Sequence, residues 1–182
     1  MFKTLRIAAA VVALGAVSAQ AMNPEVGGAP MFATKNIIEN AVNSADHTTL
    51  VAAVQAAGLV DALQGDGPFT VFAPVNSAFA SLPDGTVDSL LKPENKDLLV
   101  KILTAHVIPA NLSGATLAAR ARDSADGFFH LETLSGDALS AQVKGGSLYI
   151  YDESGNAGRV TIADVNQSNG VIHVVDTVLL PR

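Results

Sequence analysis

The sequence predicts an α+β chain in which helices come first and β-hairpins follow. Apolar residues recur at helical spacing early on, at Ile37, Ile38, Ala41 and Val42 and again at Leu50, Val51, Val54 and Ala57. From Phe128 the period becomes two, and Leu139, Ala141 and Val143 alternate with Ser140 and Gln142. No repeated strand–helix–strand unit is visible, which argues against a parallel α/β fold.

The first residues read as an address. Lys3 and Arg6 form a basic region, Ile7 to Val17 a short apolar run, and Ala19-Gln20-Ala21 a cleavage site. This layout predicts a secretory signal peptide over residues 1–21, too short in its apolar part to span a membrane stably. Residues 22–32, with Pro24, Gly27, Gly28 and Pro30, read as a flexible leader, and one domain is expected over residues 33–182. Removing 21 of the 182 residues leaves 161, a natural size for a single domain. No cysteine occurs, which excludes disulfides, thiolate nucleophiles, cysteine-bound zinc and a lipidated cysteine anchor. A bacterial periplasmic or secreted protein is therefore expected, soluble after cleavage because no second long apolar stretch follows. Without the two basic residues of the signal, nine cations face seventeen acids, a net charge of −8. Scattered cations and few aromatics argue against nucleic-acid binding.

The elements follow in order. Thr48 is placed to cap the helix that carries Leu50 to Ala57. Gly58 and the cluster Gly65-Asp-Gly-Pro68 punctuate the chain before a strand at Phe69 to Ala73. Asn76 is placed to cap a short helix carrying Ala78 and Phe79. Thr86 to Leu91 and Glu94 to Thr104 read as helices, the second opening after Pro93. Strands at Leu148 to Tyr151 and Arg159 to Val165 are joined by a turn-rich segment, and Val171 to Leu180 closes the chain as a nearly continuous apolar strand.

Several polar residues interrupt these apolar runs. On the helix from Glu94, Leu98, Leu99, Ile102, Leu103 and Ala105 form one broad face, and His106 falls near its centre. His106 is therefore expected to be buried with a hydrogen-bond partner, while Asp97 falls opposite, solvated and paired with Lys101. His173 and Asp176 are three apart, so a regular strand sends them to opposite faces. Structural roles are expected for both: Asp176 accepting from strand-end amides, His173 bonding a neighbouring strand or carbonyl.

These residues carry a family resemblance. Phe69 to Phe79, with Thr70 and Asn76 at its polar positions, resembles the first signature block of the fasciclin domain. Asn169 to Pro181 resembles the second, at Gly170, His173, Asp176 and the closing Leu180-Pro181. His106-Val-Ile-Pro109 is similar to the block between them, with Ala105 where the family normally has tyrosine. The resemblance runs from about Lys35 to Pro181 and implies a compact fasciclin-like fold, with N-terminal helices around a β-sandwich or wedge. It also implies extracellular adhesion or matrix interaction without catalysis. In animal matrix members an Asp-Ile pair and the Tyr-His region are associated with integrin binding. By that resemblance Asn95, Lys96, Asp97, Leu98 and Leu99, together with Ala105 and His106, are candidate partner-binding residues. Thr70, Asn76, His106, His173 and Asp176 are the structural motif.

No nucleophile elbow, zinc-protease pair or phosphate loop is present, and the four histidines lack short metal-ligand spacing. No cofactor or metal is called for. Asp152-x-Ser154-x-Asn156 has the start of a calcium loop but lacks its glycine and closing glutamate, so a hairpin turn is expected. Asp46-His47 reads as an exposed connector between helices. Tyr149 and Tyr151 share one strand face and form a second candidate contact patch. The functional reading is a secreted or periplasmic adhesion module for a cell-surface or matrix protein or glycan. The second reading is a carrier of an apolar small molecule, a carotenoid or lipid, because the apolar residues are numerous enough to line a groove. An exported hydrolase is the third, requiring a serine, a histidine and an acid joined in one pocket.

Overall fold

A computed structural model describes residues 23–182. The signal peptide read over residues 1–21 lies outside the described residues. In chain order the elements are β1 (Glu25–Val26), β2 (Ala29–Pro30), α1 (Ile37–Ala41), α2 (Thr48–Ala57), α3 (Val60–Gln64), β3 (Phe69–Pro74), α4 (Asn76–Ala80) and α5 (Thr86–Leu90). They continue with α6 (Lys96–Thr104), β4 (Val107–Ile108), α7 (Gly114–Asp123), β5 (Phe129–Glu132), β6 (Ala138–Lys144), β7 (Ser147–Tyr151), β8 (Ala157–Gln167) and β9 (Gly170–Val175).

Local chemistry sets the helices. Asn36 and Glu39 form a reciprocal capping box on α1, and Gly58 ends α2 in the left-handed region at φ 72°. Ser113 caps α7, its hydroxyl accepting from the Thr116 amide at 3.1 Å. Asn76 caps a helix other than the one expected. Its own helix, α4, has no side-chain cap, and its Oδ1 instead accepts from the Thr49 amide at 3.0 Å, in the first turn of α2. Its Nδ2 donates to the Ala45 carbonyl at 2.8 Å. Thr48 does not cap α2 either; it is the helix's first residue and its hydroxyl donates to Asn76.

Seven strands make one sheet in the order β4-β3-β9-β8-β7-β6-β5. The first and last apolar blocks meet in parallel, with Phe69 opposite Gly170 and Pro74 opposite Val175. Glycine is required at that start. A Cβ on Gly170 would stand 2.1 Å from the Phe69 carbonyl oxygen, and one on Gly67 2.0 Å from that of Asn169. The remaining pairs are antiparallel. β8 is the hinge of the sheet: residues 157–159 pair with β7, whereas residues 160–167 pair with β9 through two register shifts.

The sheet thereby folds into two halves that share β8 and enclose a core between them. Phe72 and Val175 from β3 and β9 meet Leu139, Ala141 and Ile150 from β6 and β7, with Leu117 of α7 alongside. The opposite parity of the central strands, Val71, Ala73, Ile172 and Val174, faces the helical layer with Val54, Leu99, Ile102 and Leu103. Burial on both faces explains the nearly continuous apolar reading of the closing segment. Its strand ends at Val175, and Val178 and Leu179 stay buried in an irregular path beyond it.

The N-terminal segment departs from its reading. Residues 25–30 form a small hairpin, and Val26 and Met31 are core residues, so the segment read as a flexible leader is packed against the domain. The chain turns tightly at Gly27 and Gly28, both with positive φ, and the cluster of glycine and proline read as flexibility is turn chemistry. Helix α7 was absent from the sequence reading, since it buries only Gly114, Leu117 and Ala121.

Buried polar pins and candidate contact surfaces

His106 and His173 are enclosed and fully bonded. His106 Nδ1 donates to the Ile102 carbonyl at 2.8 Å, and its Nε2 accepts from the Leu179 amide at 2.9 Å. Burial pushes its pKa down to about 4 despite the neighbouring Ile102 carbonyl. His173 holds the other tautomer. Its Nε2 donates to the Leu112 carbonyl at 2.8 Å, its Nδ1 accepts from the Asp164 amide at 3.2 Å, and burial lowers its pKa as well. Thr70 holds the same 110–112 segment, donating to the Ala110 carbonyl at 2.6 Å and accepting from the Leu112 amide at 2.9 Å. Asp164, at φ 59°, accepts from the Gly114 amide at 2.7 Å and so anchors the start of α7.

Acids and amides tie down the remaining ends. Asp176 Oδ1 accepts from the Arg159 amide at 2.8 Å, joining the end of β9 to β8. Asp152 accepts from the Ser154 and Asn156 amides within its turn and from the Leu180 amide at 2.9 Å. This carboxylate is thus committed to a turn and to the closing segment. Asn169 donates to the Leu63 and Gly65 carbonyls and accepts from the Ile37 amide at 3.1 Å.

The candidate contact residues separate into two groups. Asn95, Lys96, Asp97 and Leu98 lie at the start of α6, and Leu98, expected on the buried face, is 50 % exposed. The helix starts two residues later than read, after a short 3-10 turn at Pro93–Asn95, and of the two leucines expected on its buried face only Leu99 points inward. Leu99, Ala105 and His106 are buried, so none of these three offers a surface to a partner. Lys101 pairs with Asp137 at 3.5 Å, not with Asp97.

Tyr149 and Tyr151 project from the outer face of the β5–β7 half-sheet, opposite the core residue Ile150. The structure adds neighbours that the sequence reading did not place there. Phe128 meets Tyr151 edge-on at 5.6 Å and stacks on His130 at 6.5 Å. His130 contacts the Ser140 hydroxyl at 2.9 Å and the Asp126 carboxylate at 3.1 Å, and Tyr151 donates to Gln142 at 3.1 Å. The signal was parity, because Phe128 and His130 share the outward period of β5. Asp126, His130 and Ser140 have the partners of a hydrolase triad, but they lie on an open face outside any described cavity.

An apolar cavity of about 80 Å³, partly open to solvent, lies between α1, α2 and β3. Its lining includes Ile38, Leu50, Val54 and Ala73, together with Ser44 and His47. His47, read as part of an exposed connector, is 3 % exposed. Ser44 contacts its Nδ1 at 2.9 Å, while its Nε2 has no hydrogen-bond partner. Burial lowers its pKa, opposed in part by the nearby Ala73 carbonyl. At about half the volume that holds benzene, the cavity is too small for the end ring of a carotenoid and admits a short aliphatic segment. Among the described residues, no group of three or more histidines and acids is placed to hold a metal ion.

A helical layer thus covers a sheet bent at one shared strand, and buried His106, His173 and Asp152 pin its closing segment. The fasciclin domain profile matches residues 45–181, and the chain belongs to the fasciclin domain family. Protein sll1483 of Synechocystis is 44 % identical, the match covering 97 % of this chain and 99 % of that protein. The cell surface glycolipoprotein MPB83 of Mycobacterium bovis is 34 % identical over 96 % of this chain and 74 % of its own length. A solved FAS1 domain pair from the insect cell adhesion molecule fasciclin I shares the fold, with a TM-score of 0.69 at 20 % identity, covering 80 % of this chain and 51 % of that one.

Proposed function

We propose that this chain is an exported, non-catalytic adhesion module, periplasmic or at the cell surface, that binds a surface or matrix protein or glycan. One observation carries the reading: the outer face of β5–β7 presents Phe128, His130 and Tyr151 as one part-exposed aromatic cluster, with Tyr149 on the same face. Aromatic rings supply large contact area at low entropic cost, and Gln142, Ser140 and Arg159 on the same face add hydrogen-bonding groups. The cell-surface and cell-adhesion designations of MPB83 and of the fasciclin I domain pair support the same class of role. Among the described residues, no helix is long and apolar enough to cross a membrane.

The exposed start of α6, Asn95 to Leu98, is the second contact surface in this reading. Attachment of source cells carrying Tyr149→Ala/Tyr151→Ala, or Lys96→Glu/Leu98→Asp, to immobilised matrix proteins and glycans separates the two surfaces. The tyrosine variant is expected to reduce attachment about tenfold or more, as loss of interface aromatics does. Attachment that matches the deletion strain for neither variant, with both chains folded and exported, overturns the assignment of the contact surface.

A further inference from the structure

We propose that the cavity between α1, α2 and β3 binds an aliphatic molecule bearing a hydroxyl group at one end, with His47 as its hydrogen-bonding residue. This site is independent of the adhesion surface. The lining contains no Lys, Arg, Asp or Glu, and its polar side chains are Ser44, His47, Gln55 and His106. His106 has both nitrogens engaged, and Ser44 is engaged with His47. That leaves Nε2 of His47 as the buried side-chain nitrogen without a well-formed hydrogen bond, the nearby Ala73 carbonyl offsetting only part of the effect of burial on its pKa. Unpaired buried polar atoms are costly, so a ligand that pairs with Nε2 gains more than one that only fills space.

The chemistry of that ligand follows from the site. A carboxylate would be desolvated among apolar side chains with no cation to meet it. A hydroxyl pairs with Nε2 in either tautomer, because it both donates and accepts. Water competes for this place, since the Ser44 hydroxyl and the Ala73 carbonyl lie near His47, but it leaves the surrounding hydrocarbon unfilled where an aliphatic alcohol covers it. Volume limits the enclosed part. An apolar cavity of about 150 Å³ holds benzene, so this one, at about 80 Å³, encloses a short hydroxylated end. The tail leaves beside Leu50, Val51, Gln55 and Val60, which are partly or fully exposed.

The test is methyl and imidazole NMR of the isotope-labelled full chain titrated with 1-hexanol and, separately, hexanoate. Saturable shifts are expected at the Ile38, Val51 and Val54 methyls and at His47 Nε2 with hexanol, and none with hexanoate. His47→Phe is expected to weaken hexanol about tenfold, the size of one neutral hydrogen bond. Val51→Phe, at the half-exposed rim, is expected to abolish binding by filling the cavity. If hexanol produces no saturable shift, the cavity is at most a water site and the proposal falls. Equal affinity in His47→Phe, or undiminished binding in Val51→Phe, also overturns it. Should His47→Phe fail to fold, the His47 Nε2 shift in the unaltered chain decides: its absence on saturation with hexanol removes the assigned hydrogen bond.

Discussion

His106 and His173 are held in opposite tautomers, and that difference follows from what each must join. His106 donates from Nδ1 back to its own helix and accepts the Leu179 amide of the closing segment. His173 accepts a β8 amide and donates across to the 110–112 loop. Both need to be neutral, and burial lowers the pKa of each, as it does for His47. A lowered folded pKa means that the unfolded chain binds protons first as pH falls, so stability present above about pH 6.5 is lost through the window down to the folded pKa. For His106, with a folded value of about 4, the loss between pH 7 and pH 5 is about 2 kcal/mol. Urea unfolding at those two pH values is expected to show at least this drop, and His106→Gln is expected to reduce it. Strand parity in the sequence already separated His173 from Asp176 and pointed to bonding roles. It gave no sign that His47 is buried, because a residue's burial in a connector depends on which distant strand lies over it. Here that strand is β3.

At the scale of elements, the start of α2 depends on a residue from another element. Asn76 satisfies the Thr49 amide and the Ala45 carbonyl together, so Asn76→Ala is expected to cost about 1–2 kcal/mol by chemical denaturation. Thr48→Ala removes one weak hydroxyl contact at 3.2 Å and is expected to cost about 0.5 kcal/mol or less. The reverse ranking would restore the local cap that the sequence suggests. Elements with large apolar residues at regular spacing, such as α2, α6 and the β6–β7 hairpin, were legible because periodicity is a local signal. Helix α7 was not, since Gly114 and Ala121 contribute almost no hydrophobic contrast. The parallel pairing of β3 with β9 was legible only as two unusually apolar runs, as its partners lie about a hundred residues apart. Gly170 shows how tightly that pairing is built. With Phe69 oxygen 2.1 Å from a substituted Cβ, Gly170→Ala is expected to destabilise the chain by on the order of 3 kcal/mol and to broaden resonances along both strands.

At the scale of the whole molecule, the boundary of the folded unit is the decisive question, because it determines what must survive removal of any N-terminal address. The proposed division places a signal peptide over residues 1–21, and the hairpin at residues 25–30 then begins the mature chain within a few residues. That hairpin is part of the folded unit. Val26 and Met31 are 4 % and 6 % exposed and pack in the helical core, while Asn23 bonds both backbone groups of Asn166 in β8. Asn40, fully buried, also holds Phe32 through both its amide atoms. A chain cut to begin at Ala33 loses two buried side chains and these ties. Burial of such a side chain contributes about 1.5–3 kcal/mol, so the truncated form is expected to be less stable by about 4 kcal/mol than one beginning at Met22. The cost should appear as a lower urea midpoint with a nearly unchanged slope, since the rest of the core still unfolds as one unit. Amide exchange should rise first at Asn40 and Gln167, the groups left facing solvent where Phe32 had been. Equal midpoints for the two forms would return residues 22–32 to the role of a leader and put the start of the domain at Ala33.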